Sequence, residues 1–180
     1  MSFKDHFSTH AATYAQARPG YPDALYAWLA AQCARRERAW DAGAGNGQCA
    51  VALAAHFQQV VATEPSAAQV ANAVAHPRVE YRIEAAEEPS LDTASVDLLC
   101  VAQALHWFDR EAFLAEAARV LVPRGWLFIS NTWFAGTLEG RADFVAWNRE
   151  EYQARFPTPP RSGAPIAAPD APAAGFSLRG

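Results

Sequence analysis

Positive charge is not in surplus in this chain. Fifteen lysines and arginines stand against nineteen aspartates and glutamates, a formal net charge of -4. Without a cationic excess there is nothing to neutralise a nucleic-acid backbone or an anionic membrane surface, and neither partner is expected. Cysteine is scarce too. Cys33, Cys49 and Cys100 form an odd set without C-x-x-C spacing, which argues against a disulfide framework and against a zinc site. They read as reduced, buried fillers of a cytoplasmic protein. No apolar run is long enough to span a bilayer, and the opening "MSFKDHFSTH" is too polar for a secretory signal. What the 180 residues do have is apolar content, 51% of the chain, enough for one domain with a continuous core.

Strands and helices alternate along that core. "GYPDALYAWLAAQC" predicts a helix with Leu25, Trp28, Leu29 and Cys33 on its inward stripe and Pro22 in the first turn. "RAW" predicts a strand, "GQCAVALAAHF" a helix and "QVVAT" a second strand ending at Glu64. Ser66 and Gln69 have the spacing of a capping box for a helix through Val70 and Val74. Val79, Tyr81 and Ile83 alternate as a third strand, "SVDLLCVAQ" is a fourth, and "REAFLAEAARVL" is a helix facing inward with Phe113, Leu114, Ala117 and Val120. "PRG" should break that helix, and "WLFISNTWF", apolar on both faces, predicts a fifth strand of the kind buried inside a parallel sheet. The period indicates an α/β fold with a ligand crevice at the carboxyl ends of its strands. Phe144, Trp147 and Tyr152 suit an amphipathic helix over about 140–156. From Pro157 onward the composition turns to proline and alanine without periodicity, so residues 1–156 are expected to form the domain and 157–180 a disordered or loosely packed tail.

"WDAGAGNGQ" (40–48) is the stretch that carries chemistry. Glycine gives up the most backbone entropy on ordering, yet Gly43, Gly45 and Gly47 crowd one loop between strand and helix. Bare backbone at that place lets a ligand approach closely, and the helix that follows favours a negative group. The register is not the dinucleotide G-x-G-x-x-G, because the last glycine arrives one residue early, and no G-K-[S/T] follows to make a P-loop. Asp41, ahead of the glycines, would repel a pyrophosphate but suits an ammonium group or the field of a sulfonium. Roughly twenty residues past the first glycine, Glu64 ends the second strand, where a carboxylate accepts both hydroxyls of a ribose. A tight structural turn, with Glu64 a solvated strand end, is the alternative.

Five stretches in order, "RPGYP" (18–22), "WDAGAGNGQ", "VVATEPS" (60–66), "YRIEAAEEPSLDTASVDLLCVAQALHWFD" (81–109) and "ARVLVPRGWLFIS" (118–130), resemble the class I S-adenosylmethionine-dependent methyltransferases. The resemblance is to their small-molecule branch, which includes trans-aconitate methyltransferase-like proteins, and it covers roughly residues 1–135. It implies a Rossmann-like, mainly parallel sheet with helices on both faces, S-adenosylmethionine as cofactor and a small-molecule acceptor, a carboxylate among the candidates. By position, Asp41, Gly43, Ala44 and Gly45 match the loop under the methionine part and Glu64 the ribose ligand. Ala86 and Glu87 match the segment flanking the adenine, and Gln103 the position beside the methionyl group. His106 and Trp107 match the acceptor mouth, while Tyr14 and Arg18 match an N-terminal segment folding over the cofactor, Arg18 being suited to its carboxylate. Other readings stand beside these: an aromatic pair after a strand also closes a core, Glu87 and Glu88 also make a solvated charge pair, and Tyr14 and Arg18 also cap a first helix.

An ionised carboxylate acceptor would need no base; an alcohol or amine would, and His106 is the candidate. Relatives continue past the fifth strand into an antiparallel hairpin, and no alternating segment here provides it. The expectation is a shortened chain whose fifth strand is an open edge, covered by 136–180 or by a second copy in a homodimer, or one that binds the cofactor without turnover. A NAD-dependent oxidoreductase is the remaining alternative, and the glycine register and Asp41 disfavour it.

Overall fold

The computed structural model describes residues 20–131, 137–156 and 175–177. Tyr14, Arg18 and most of the expected tail lie outside them. Five parallel strands form one sheet: β1 (Arg38–Ala42), β2 (Gln59–Thr63), β3 (Val79–Arg82), β4 (Val96–Ala102) and β5 (Leu121–Ser130), in the spatial order β3-β2-β1-β4-β5. The order reverses between β1 and β4, so the connections leaving their carboxyl ends diverge and open a crevice there.

Alternation along the strands divides the core into two layers. Ala39, Val60, Ala62, Leu98 and Cys100 face one side, where they meet Tyr26, Leu29 and Ala30 of α1 (Asp23–Gln32) and Cys49, Ala50 and Leu53 of α2 (Gln48–Leu53). Trp40, Ala42, Val61, Leu99 and Val101 face the other, under Phe113, Ala117 and Val120 of α4 (Arg110–Val120). Trp40 is fully buried, and its indole N–H donates to Thr63 Oγ1 at 2.9 Å, which satisfies the one polar atom that the ring takes out of water. The expected α/β architecture with helices on both faces is therefore present.

Several local expectations change. Trp28 was placed on the buried stripe of α1, but it is 55% exposed. Leu29 and Cys33 are buried as expected, and Tyr26 and Ala30 join them in an i, i+3, i+4, i+7 stripe that packing selects over the one through Trp28. α3 is a short Ala67–Ala71, ending well before the exposed Val74. Only half of its capping box forms. Ser66 Oγ accepts from Gln69 N at 3.3 Å, while Ser66 N donates to Glu64 Oε1 at 3.0 Å, so the carboxylate two residues earlier takes the place of the glutamine side chain. Ile83 lies past the end of β3 and is exposed.

β5, whose composition is that of an interior strand, is the edge strand among the described residues. Its two apolar faces are used all the same: Leu127 and Ile129 pack on the Trp40 layer, Trp126 and Phe128 on the other. The "PRG" segment does not separate helix from strand. It is a bulge inside β5, because Val96 pairs with Leu121 and Leu98 with Trp126, leaving four residues of β5 unmatched. The predicted helix over 140–156 is present as α5 (Ala142–Trp147), a π-turn (Asn148–Tyr152) and a final turn (Gln153–Arg155), but no residue of it is buried. Its aromatic rings tile against one another, Phe144 on Trp147, Trp147 on Tyr152 and Tyr152 on Phe156. Phe176 packs against the Trp40 layer.

Candidate functional site

The crevice at the β1/β4 divide is built around the loop leaving β1. Gly43, Gly45 and Gly47 all have left-handed backbone, φ +69°, +56° and +84°. They are bare for different reasons. A Cβ on Gly43 would lie 2.6 Å from Ala104 Cβ and 3.0 Å from the Phe108 ring, so this glycine lets the turn after β4 pack onto the loop. A Cβ on Gly47 would meet the Tyr81 hydroxyl at 2.0 Å, and that hydroxyl donates to the carbonyl of Val74. Among the described residues, Gly45 has no atom within 4 Å of the Cβ position. Its left-handed φ favours glycine, and among the described residues the space above its backbone is open.

The loop is fastened to the end of β2. Gly43 N and Ala44 N both donate to the Thr63 carbonyl, at 2.9 and 3.0 Å. The buried Glu64 carboxylate accepts from Gly45 N through Oε2 and from Ser66 N through Oε1, each at 3.0 Å. A carboxylate offers about four lone-pair positions, so two amides hold it in place without exhausting its capacity to accept.

Asp41 is buried on the α1/α2 side of the loop. Its charge reaches three neighbours. The Cys49 thiol is pushed well up by its hydrogen bond to Cys100, by burial and by Asp41. Burial is the largest cause for both tyrosines, with Asp41 adding to it, and it pushes Tyr81 to about 12 and Tyr26 higher still. All three groups stay neutral at physiological pH. A cavity at this point is lined by Tyr21, Asp41, Gly43, Ala44, Asn46 and Ala102, among others.

Gln103 follows β4 with φ +62°, a left-handed conformation that a non-glycine residue adopts at a cost. Its N–H donates to the Ser130 carbonyl and its Nε2 to the Tyr21 hydroxyl, each at 2.9 Å, and Tyr21 Oη lies 2.6 Å from Ser130 Oγ. His106 and Trp107 lie in a single 3-10 turn (Leu105–Trp107), half-buried, with ring centroids 4.7 Å apart. Trp107 also packs against the core, so it closes the layer as well as facing the rim. Ala86 is buried in the same layer, and Glu87 Oε1 accepts from Asp109 N at 2.7 Å, which ties the 86–87 segment to the cap of α4.

The structure therefore brings Asp41, Gly43, Ala44, Gly45, Glu64 and Gln103 together where β1, β2 and β4 end. It places Ala86, Glu87, His106 and Trp107 along the neighbouring rim. Sequence reasoning does not single out Tyr21 and Ser130, although "RPGYP" and "WLFIS" contain them. Their signal, two hydroxyls at element ends, gains meaning only from the topology. A wider cleft of about 300 Å³ lies at the opposite rim, near Arg35 and Asp97. Asp97 accepts there from Glu37 N, Arg38 N and Arg35 Nε at 2.8, 3.1 and 3.1 Å, so the buried carboxylate is occupied in anchoring the start of β1 to β4.

Residues 40–129 match the methyltransferase domain family. The chain belongs to that family. A provisionally named methyltransferase of Dictyostelium discoideum is 44% identical over 71% of this chain and 49% of its own length. The solved structure of a provisionally named type II methyltransferase from Anaeromyxobacter dehalogenans is 38% identical, covers 79% of this chain and 61% of that one, and has a TM-score of 0.68. Geranyl diphosphate methyltransferase, solved in complex with S-adenosylmethionine, shares the fold at 18% identity and a TM-score of 0.52, covering 64% of this chain and 57% of that one. This methyltransferase chain spans about half the length of the curated relatives it matches. Among its described residues no helix is long and apolar enough to cross a membrane.

Proposed function

We propose that this chain binds S-adenosylmethionine at the β1/β4 crevice and transfers its methyl group to a small molecule, in the first instance a carboxylate. The observation that carries the reading is the pairing of an open glycine backbone at Gly45 with two buried carboxylates, Asp41 on one side of the loop and Glu64 on the other. A pyrophosphate would meet repulsion from both. An adenosyl amino acid has an ammonium group for the first and ribose hydroxyls for the second.

When bound, S-adenosylmethionine supplies an electrophilic methyl group on a sulfonium that departs as a neutral thioether. The protein's own work is then to orient and exclude water. In this reading Asp41, Gly43, Ala44, Gly45 and Gln103 hold the methionine part, Glu64 the ribose, and Ala86 and Glu87 flank the adenine. Tyr14 and Arg18 fold over the cofactor. His106 and Trp107 face the acceptor, and His106 takes a proton if the acceptor arrives un-ionised.

In this reading the domain is residues 1–156, and most of 157–180 lies outside the described residues. The net charge of -4 supports a small-molecule acceptor over a nucleic acid, and three free, buried cysteines support a reducing, cytoplasmic location. A second copy pairing along β5 completes the proposal. Calorimetric titration with S-adenosylmethionine, S-adenosylhomocysteine and NAD tests the site; binding of NAD alone would overturn it. Methyl transfer to a panel of small carboxylates, phenols and amines tests turnover, and cofactor binding with no product from any acceptor would leave a binding protein.

A further inference from the structure

Three residues from separate parts of the chain close a ring at the carboxyl ends of β4 and β5. Gln103 follows β4, Ser130 ends β5 and Tyr21 precedes α1. Gln103 N–H donates to the Ser130 carbonyl, Gln103 Nε2 donates to the Tyr21 hydroxyl, and that hydroxyl lies 2.6 Å from Ser130 Oγ. An amide nitrogen only donates, so the phenol accepts from Gln103 and keeps its own hydrogen for Ser130. Gln103 meets these bonds in a left-handed conformation, φ +62°, which is unfavourable for a non-glycine residue and persists only where its surroundings over-determine it. Both the backbone and the side chain of one strained residue are thus fixed by the same two partners, and Tyr21 lines the cavity that holds Asp41. With Nε2 held by Tyr21, the acceptor left on the amide is Oε1, for which no hydrogen bond is present among the described residues.

We propose that Tyr21 is a positioning residue for Gln103: its hydroxyl holds Nε2 and so aims the amide for Oε1 to accept from the ammonium at the amino-acid end of the cofactor. The proposal rests on the reading of the crevice as an S-adenosylmethionine site. It separates Tyr21 from a merely structural tyrosine, because a structural defect loosens the whole crevice, whereas loss of aim affects only ligands that carry the amino-acid end.

Titration calorimetry with S-adenosylhomocysteine and with methylthioadenosine, which lacks the amino-acid end, distinguishes the two. Tyr21→Phe should weaken S-adenosylhomocysteine about five-fold, the loss of one neutral hydrogen bond, and leave methylthioadenosine unchanged. Combined with Gln103→Ala it should add no further loss, since Tyr21 acts through Gln103. Ser130→Ala, which frees the phenol from β5, carries the same test should Tyr21→Phe not fold. Unchanged affinity for S-adenosylhomocysteine, equal losses on both ligands, or losses that multiply in the double variant would each overturn the assignment of Tyr21 alone. A wild-type protein that binds neither ligand would overturn the cofactor reading, and this one with it.

Discussion

At the scale of single residues, the three glycines of the β1 loop separate packing from binding. Gly43→Ala sets a Cβ against Ala104 and Phe108 at a left-handed position, and the variant should lose about 3 kcal/mol of stability in chemical denaturation. Gly45→Ala meets no neighbour, so it should cost only about 1 kcal/mol while lowering S-adenosylmethionine affinity far more than that loss of stability would explain. Calorimetry on the folded Gly45→Ala protein checks this, and wild-type affinity would remove the loop from the site. His106→Ala should leave cofactor binding intact and slow methylation of acceptors that arrive un-ionised; a carboxylate acceptor should be methylated at the wild-type rate. That the loop is unusual was legible from the glycine spacing and from Asp41 ahead of it. Which glycine faces which neighbour was not, because Tyr81 and Ala104 reach Gly47 and Gly43 only through the order of the strands. Tyr21 and Ser130 went unread for the same reason: neither hydroxyl has a local partner to mark it.

At the scale of elements, the sheet was legible wherever a strand is buried on both faces. "QVVAT" is β2 residue for residue, since a short β-branched run with no polar face has no other stable use in a parallel sheet. The phase of α1 was not legible. Leu25, Tyr26, Trp28, Leu29 and Ala30 put apolar groups almost all round the helix, two stripes satisfy the same period, and packing on the sheet decides between them. The start of β1 depends on a side chain from another element, Asp97 of β4, whose carboxylate satisfies the amides of Glu37 and Arg38. Asp97→Ala would leave two donors without their acceptor, and a loss of about 2–4 kcal/mol is expected in urea denaturation. The glycine loop lies at the other end of β1, so the affinity of the remaining folded protein for S-adenosylmethionine should be unchanged. A selective loss of affinity without loss of stability would contradict the anchoring role.

At the scale of the whole molecule, the question is the far edge of β5. Bonding alternates along a parallel strand, and the Ser130 carbonyl is committed to Gln103 N on the β4 side, so the amides of Leu127 and Ile129 point outward. Among the described residues no strand pairs with that edge, although its side chains are packed on both faces. A flat run of outward amides in a well-packed strand is a template for another strand, and a second copy of this chain, offering the same run across a two-fold axis, is self-complementary to it. Amide hydrogen exchange separates the possible covers without altering the sequence. If a second copy pairs with β5, protection at Leu127 and Ile129 should rise with protein concentration, alongside a shift from monomer to dimer in sedimentation. If the chain covers its own edge, the same amides should be protected at every concentration, and the dimer is then excluded. Exchange near the unprotected rate at all concentrations would mean that β5 is open, and that its stability comes from the β4 ladder and the two core layers alone.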